Sequence, residues 1–432
     1  MKKNYFFAAA MLAVTALQAQ NQYVHQVVVL NEGQYDYTNQ VQITPVTLGV
    51  YNPSNQNYMV VDTLDGIRFG SDVEIDDSHI YVAGDEMLYA FDKNTYQETN
   101  SVAVPGIRKI AFWNDKVLVT RGEFIKFNAY VQAYNKSDLS LAFELDTLNG
   151  PMYSCDAIAV DGNTAYIAVN NSFDWGNYVG LLGEVDLSNQ TYSEVNLDTN
   201  GINPENVMVH NGKVYTLNNK NFDGSSISVY DPSNDSVMTI NVAGGSSCGS
   251  SAFAANYVYY GEYAVNKLAR FDINTMNIFD TLDNAPFPYG LVDDGINNQL
   301  YTTVTDYVSY GTTYIIQYDG TVTDSFAVGV SPGNLALDVR TSTGVDEVEV
   351  SNLNFEIYPN PANNFVELKI QNSEFRIQNA KLKVYNVLGE VILTSRISHL
   401  TTQIDVSELP EGIYFIEVGN DSSSSVQKII KN

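Results

Sequence analysis

A two-residue mark recurs seven times along this chain: an apolar residue, usually aromatic, followed by Asp or Asn. The marks are Tyr51-Asn52, Phe91-Asp92, Tyr134-Asn135, Val185-Asp186, Tyr230-Asp231, Phe271-Asp272 and Tyr318-Asp319. Their Asp/Asn positions are spaced by 40, 43, 51, 45, 41 and 47 residues, which is the period of a four-stranded propeller blade. The stretch Val207 to Gly245 shows what one repeat contains: VMV, KVYTL after Asn211-Gly212, SISVYD after Asp223-Gly224, and VMTINV after residues 232–235. These read as four short alternating strands broken by tight turns. Such a unit cannot bury its apolar face alone and needs like units stacked beside it. The aromatic of each mark is expected between neighbouring sheets at the end of a third strand, with Asp or Asn opening the turn into the fourth.

The closure of the ring is also readable. The first repeat begins at VVVL (27–30), which matches second strands elsewhere, so its innermost strand is missing. After the seventh repeat, SPGNLALDVR (331–340) matches innermost strands such as NPENVMV. Leu335 to Val339 is therefore expected to complete the first blade and remove the open sheet edges. The expected architecture is all-β: a seven-bladed β-propeller over 20–340, a linker over 341–352 and a small C-terminal β-sandwich over 353–432.

The N-terminus, MKKNYFFAAAMLAVTALQAQ, has Lys2 and Lys3, an apolar run from Tyr5 to Leu17 and small residues before a cut after Ala19. Residues 1–19 read as a secretory signal peptide, too short and wrongly flanked for a membrane anchor. No other apolar run is long enough to span a bilayer, and no Cys stands at the cut to carry a lipid. The net charge of −28 falls mostly on the repeats, since the tail from Val345 onward holds 12 acids against 7 bases. A body this acidic repels nucleic acid and anionic membrane, which argues against both as partners. Cys155 and Cys248 either pair or remain two buried thiols; their places in non-adjacent repeats favour the thiols.

Residues 353–432 contain FEIYPNPANNFVELKI, AKLKVYNVLGEVIL, TTQIDVSELPEGIYFIEV and VQKIIKN, each alternating as a half-buried strand does. Four ordered motifs carry a resemblance to the type A sorting domain of the type IX secretion system of Bacteroidota. They are Tyr358-Pro359-Asn360-Pro361, Val384 to Gly389, Leu409-Pro410-Glu411-Gly412-Ile413-Tyr414, and the basic ending at Lys428 and Lys431. The resemblance implies passage across the inner membrane by the signal peptide, then passage across the outer membrane through secretion machinery that recognises the tail. Release or surface attachment would follow. The repeats resemble YncE-like and surface-layer-type seven-bladed propellers. The Val29-Leu30-Asn31-Glu32-Gly33 opening is also similar to extracellular propellers of Bacteroidota, some of which capture cobalamin for an outer-membrane transporter.

Loops between second and third strands open on one face of a propeller, and here they are rich in aromatics with Asn, Asp and Gly. The loop aromatics are Tyr35, Tyr37, Phe124, Phe127, Phe173, Trp175, Tyr178, Phe222, Tyr263, Tyr307 and Tyr310; all but Phe127 and Phe173 are taken as candidate ligand-binding rings, with Trp175 and Tyr178 in the longest insertion. Such rings suit sugars, flat macrocycles or a protein loop, because they offer large contact area at low entropic cost. Arg68 and Arg108 recur in Gly-Ile-Arg between blades and, with Arg121, would suit an anionic group, or else pair with neighbours such as Asp72. His25, His79, His210 and His399 sit in different elements without metal-ligand spacing. No nucleophile motif, metal or cofactor is expected. The functional expectation is an exported, non-enzymatic binding or scaffold propeller for an extracellular glycan, small molecule or protein. The alternatives are corrinoid capture and a propeller hydrolase or lyase, the last requiring acids or His clustered at the mouth of the axis.

Overall fold

The structure, a computed structural model, describes residues 22–220, 224–242, 251–341, 355–370, 381–387, 389–397, 399–420 and 423–432. The expected signal peptide, Phe222, Cys248 and linker residues 342–352 lie outside the described residues. The described chain divides into two compact units, Gln22–Arg340 and the residues from Thr341 onward. No α-helix occurs among the described residues.

Seven four-stranded sheets make the first unit, and six of them take their strands in chain order from the axis outward. The innermost strands of blades 2 to 7 are Gly70–Ile75, Ile107–Trp113, Cys155–Asp161, Pro204–His210, Ser251–Ala254 and Leu291–Asp294. Blade 1 is the exception: Pro332–Thr341 lies innermost, beside Gln22–Asn31, Val46–Asn52 and Asn57–Leu64. The last strand of the unit thus completes the first sheet, as its sequence pattern requires, and a small hairpin of Gln34–Asp36 and Val41–Thr44 is inserted in that blade.

The recurring marks have the local roles their chemistry dictates. Tyr51, Phe91, Tyr134, Val185, Tyr230 and Phe271 are all buried. The carboxylate or amide oxygen of Asn52, Asp92, Asp186, Asp231, Asp272 and Asp319 accepts a main-chain N–H two or three residues on, at 2.7–3.0 Å. Each of these side chains therefore closes its own turn into the outer strand. Asn135 differs: Asp138 accepts the N–H of Ser140 at 3.0 Å, and Asn135 instead donates to the Ser140 hydroxyl at 2.9 Å.

The closing strand is tied down by a polar clamp. Asp338, 1% exposed, accepts from Lys93 Nζ at 2.9 Å, Gln26 Nε2 at 3.1 Å and Arg340 Nη2 at 2.6 Å. Burial alone would raise this carboxyl, but the hydrogen bonds from Arg340 and Lys93 outweigh it and hold it below its ordinary range. On the opposite flank of blade 1, Tyr51 stacks on Phe326 of blade 7 at 3.9 Å.

The C-terminal unit has a three-stranded sheet (Phe355–Tyr358, Phe365–Ile370, Thr401–Asp405) and a four-stranded one (Lys381–Asn386, Val391–Arg396, Gly412–Asn420, Ser423–Lys431). One core that includes Val366, Leu368, Leu382, Val384, Ile416 and Ile429 joins them. The motif residues hold its turns. Asn360 receives the Ile430 N–H at 2.9 Å and donates to the Lys428 carbonyl at 2.9 Å, which fastens the Pro-Asn-Pro turn to the last strand. Tyr414 Oη donates to the Pro410 carbonyl at 2.9 Å, and Gly389 takes a φ of +81° that favours glycine.

Candidate functional site

The start of each innermost strand faces the propeller axis, at the end where the loops between second and third strands open. In blades 2 to 5 the pairing of this strand with the next slips there, between Gly70 and Asp72, Ile107 and Ile110, Cys155 and Ile158, and Pro204 and Asn206. A bulge at this place breaks the regular alternation and turns neighbouring polar side chains towards the axis. The result is a cavity of about 570 Å³ whose polar lining includes Glu32, Asp72, Glu74, Arg108, Lys109 and Asp156.

Lys109 Nζ donates to the Ser71 carbonyl at 3.0 Å, to Asp72 Oδ1 at 3.2 Å and to Asn334 Oδ1 at 2.7 Å, linking blades 2, 3 and 1. The other Asp72 oxygen takes the Ile110 N–H at 2.8 Å. Arg108 lies 3.9 Å from Asp156 and sits over the Phe173 ring at 5.4 Å. Glu32 is placed by its main chain, whose N–H bonds to Ser331 at 2.8 Å, with Gly33 beside it at a φ of +70° bonding Val330 at 3.0 Å. The Glu32 carboxylate accepts from Tyr289 Oη at 2.9 Å and packs against Gly333, where any Cβ would collide with it. Glu205 accepts from Asn219 Nδ2 at 2.9 Å, and Asn206 donates to Ser251 Oγ at 2.6 Å.

Burial dominates the electrostatics. It pushes the Glu32 carboxyl up to about 7, against the opposing hydrogen bond from Tyr289 and the fields of Lys109 and Arg108. Glu74 is raised by burial and then by the neighbouring Asp72, while Asp72 is raised by burial against the pull of Lys109.

The mouth is aromatic. Phe124 meets Phe173 edge-on at 5.3 Å and Trp175 at 6.1 Å. Phe124 is 68% exposed and Trp175 76% exposed. The Trp175 loop is set by its own turns, with Asp174 N–H on Asn171 at 3.0 Å and Asn177 Nδ2 on Asp174 at 2.9 Å.

Of the residues singled out in the sequence, Arg108, Phe124 and Trp175 line this cavity. Tyr307 is one ring away, edge-on to the lining Tyr289 at 5.2 Å. Tyr35 and Tyr37 pack on each other at 5.0 Å in the inserted hairpin, Tyr263 rests on Phe287 at 6.1 Å, and Tyr310 is exposed; these and Tyr178 stand outside the lining. Arg68 is engaged elsewhere: its Nε donates to Asp85 at 2.8 Å and its Nη2 lies 3.4 Å from Glu123. Asp72 pairs with Lys109 rather than with Arg68. Arg121 is buried, donating at 2.9 Å to the carbonyls of Pro105 and Ala129 under the Phe127 ring, so it is not available to an anion. Sequence reasoning missed Glu32, Asp72, Glu74, Lys109, Asp156 and Tyr289. For Asp72, Glu74, Lys109 and Asp156 the signal was charge within the innermost strands, those nearest the axis, as in GSDVEI, RKIAF and CDAIAV.

Among the described residues, neither His nor Cys lines the cavity, and no group of three or more His, Cys, Asp or Glu is arranged to hold a metal ion. No helix among them is long and apolar enough to cross a membrane. Cys155 is a buried thiol whose proton burial holds well above the ordinary range.

Comparison with known proteins separates the two units. Among curated proteins none matches the sequence. By structure, the chain is similar to the extracellular domain of BT4673, a one-component system of B. thetaiotaomicron, at 13% identity and a TM-score of 0.50. That match covers 94% of this chain but only 57% of the other. It is likewise similar to apo AztD from Citrobacter koseri, at 13% identity and a TM-score of 0.50, covering 75% of this chain and all of that one. These likenesses bear on fold alone. Residues 356–432 match the model of the secretion system C-terminal sorting domain, the turns and strands of which have been described above. The C-terminal unit is therefore a sorting domain of the type IX secretion system, and it directs an all-β propeller to the cell surface or the surrounding medium.

Proposed function

We propose that the exported propeller is a non-enzymatic binding protein and that its ligand enters the axial cavity past Phe124, Phe173 and Trp175. The observation that carries this reading is the junction of a cavity of about 570 Å³ with two mostly exposed rings at its mouth. That volume suits a small molecule or the end of a larger chain. Exposed Trp and Phe beside buried polar groups are what a ligand site uses for contact area and orientation. Presenting the purified full-length chain to glycans, corrinoids and extracellular proteins tests it. Binding weakened tenfold or more in Trp175→Ala and Phe124→Ala is the expected result, on the scale of about 1.4 kcal/mol or more per ring. Binding that neither substitution alters would place the site elsewhere.

A second reading, a hydrolase or lyase, has one observation in its favour: acids do cluster at the axis, and Glu32 is raised into the range of a general acid near neutrality. Turnover of a bound compound, lost in Glu32→Gln with binding retained, would establish it over the first.

A further inference from the structure

The charges in the cavity are unevenly matched. Of its two cations, Lys109 is fully engaged, its Nζ having three acceptors for its three protons. Arg108 lies over the Phe173 ring and 3.9 Å from Asp156, and its buried Nε has no hydrogen-bond partner. Against these two cations the lining carries five acids, Glu32, Asp72, Glu74, Asp156 and Glu205, so negative charge predominates. Glu32 and Glu74, by contrast, have no described cation within 4 Å, and the one hydrogen bond to either is from the neutral Tyr289. A carboxyl placed among packed protein without a countercharge is costly in its ionised form. The mouth repeats the preference by a separate means, since the faces of Trp and Phe attract cations, Trp most strongly, and both Trp175 and Phe124 are mostly exposed.

We infer that the axial cavity takes a small organic cation, an ammonium group on an apolar body, with the positive charge drawn to the carboxyls of Glu32 and Glu74 in its lining and the body against Phe124 and Trp175. This rests on the cavity being the binding site. A neutral sugar would use the rings but bring no countercharge to either carboxyl. An ammonium supplies the missing countercharge, so Glu32 and Glu74 give up their protons to solvent as it binds. The groups facing Glu32 are Tyr289, Lys109, Arg108 and Tyr37, and those facing Glu74 are Asp72 and Lys109. None of these supplies a mobile positive charge in its place.

The test is isothermal titration of the full chain with putrescine, spermidine and choline, beside citrate and N-acetylglucosamine, in about 150 mM salt to screen condensation on the acidic surface. At least one cation is expected to bind with a stoichiometry of one, at least about tenfold more tightly at pH 8.5 than at pH 6 as Glu32 and Glu74 ionise. Glu32→Gln and Glu74→Gln are each expected to weaken it about tenfold or more and each to reduce the pH dependence, which only the doubly substituted chain should lose altogether. Failure of all three cations to bind, or cation binding indifferent to both substitutions, overturns the inference. Binding of citrate or the sugar that Trp175→Ala abolishes would keep the cavity as the ligand site and still overturn the cation. No binding of any probe would count against both.

Discussion

Replacing Glu32 by Gln removes the ionisation of a carboxyl that burial has raised from 4.5 to about 7, while leaving an amide oxygen to accept from Tyr289. The folded state holds this proton more tightly than the unfolded chain does. The wild-type carboxyl therefore contributes stability that is fully present below pH 4.5 and is lost as pH rises through about 7. At about 1.36 kcal/mol per pH unit the loss is on the order of 3 kcal/mol. A propeller unit of roughly 320 residues has a melting entropy near 0.7 kcal/mol per degree, so the loss corresponds to about 5 °C. Calorimetric melts of wild type and Glu32→Gln are to be compared at fixed ionic strength from pH 4.5 to 8.5. The difference cancels every other titrating group, and the variant should gain about 5 °C on wild type between the two ends. A constant difference, or a variant that gains toward low pH, would refute the placement of an uncompensated carboxyl in the cavity.

Three further outcomes are expected. Asp338→Ala leaves Lys93 and Gln26 without their shared acceptor at the seam and should cost about 3–5 kcal/mol in urea unfolding. Because the Asp338 carboxyl is held below its ordinary range, its contribution is present above that range and is lost as pH falls through the depressed value, so wild type and variant should converge in acid. Deleting residues 356–432 should keep the propeller from reaching the surface or medium, as read by cell fractionation and blotting. Cys155, 1% exposed with its thiol raised by burial, should react with a thiol reagent only as the protein unfolds, as followed by mass-tag labelling in increasing urea.

The parts of the fold legible in the sequence are those whose chemistry is local. Asp92 accepts from Asn94 and Thr95, two and three residues away, so the residues that make the turn are also adjacent in the text. The closing strand was legible for a related reason: residues 331–340 repeat a pattern that six earlier strands display. The cavity is different. Glu32, Asp72, Lys109 and Asp156 come from four blades, the last three near the starts of innermost strands and Glu32 just past the end of the second strand of blade 1, and they meet only because the ring brings those blade ends together. The bulges beside Asp72, Lys109 and Asp156, where the register of the innermost strand slips, leave no mark in the sequence beyond charge within those strands. Loop aromatics were visible as a class, but reach decides which of them matter. The eleven-residue insertion at 170–180 brings Trp175 to the cavity, whereas the blade 2 loop is so short that Asp85 turns back onto Arg68.

The strand Pro332–Thr341 is innermost in the first sheet, yet in the chain it comes directly before the stretch that leads to the sorting domain. Any processing step that removes the tail thus has a forbidden zone on its N-terminal side. A cut after Thr341 leaves a closed ring, whereas a cut a few residues earlier would let the keystone of blade 1 be drawn out with the tail. A cut before Asp338 would also strip that carboxylate from Lys93, and one before Asn334 would take Asn334 from Lys109 as well. The separation of cargo from signal is therefore confined by the cargo's own architecture, and a protease tolerant in sequence would still be held to the residues beyond 341 by the sheet that guards them.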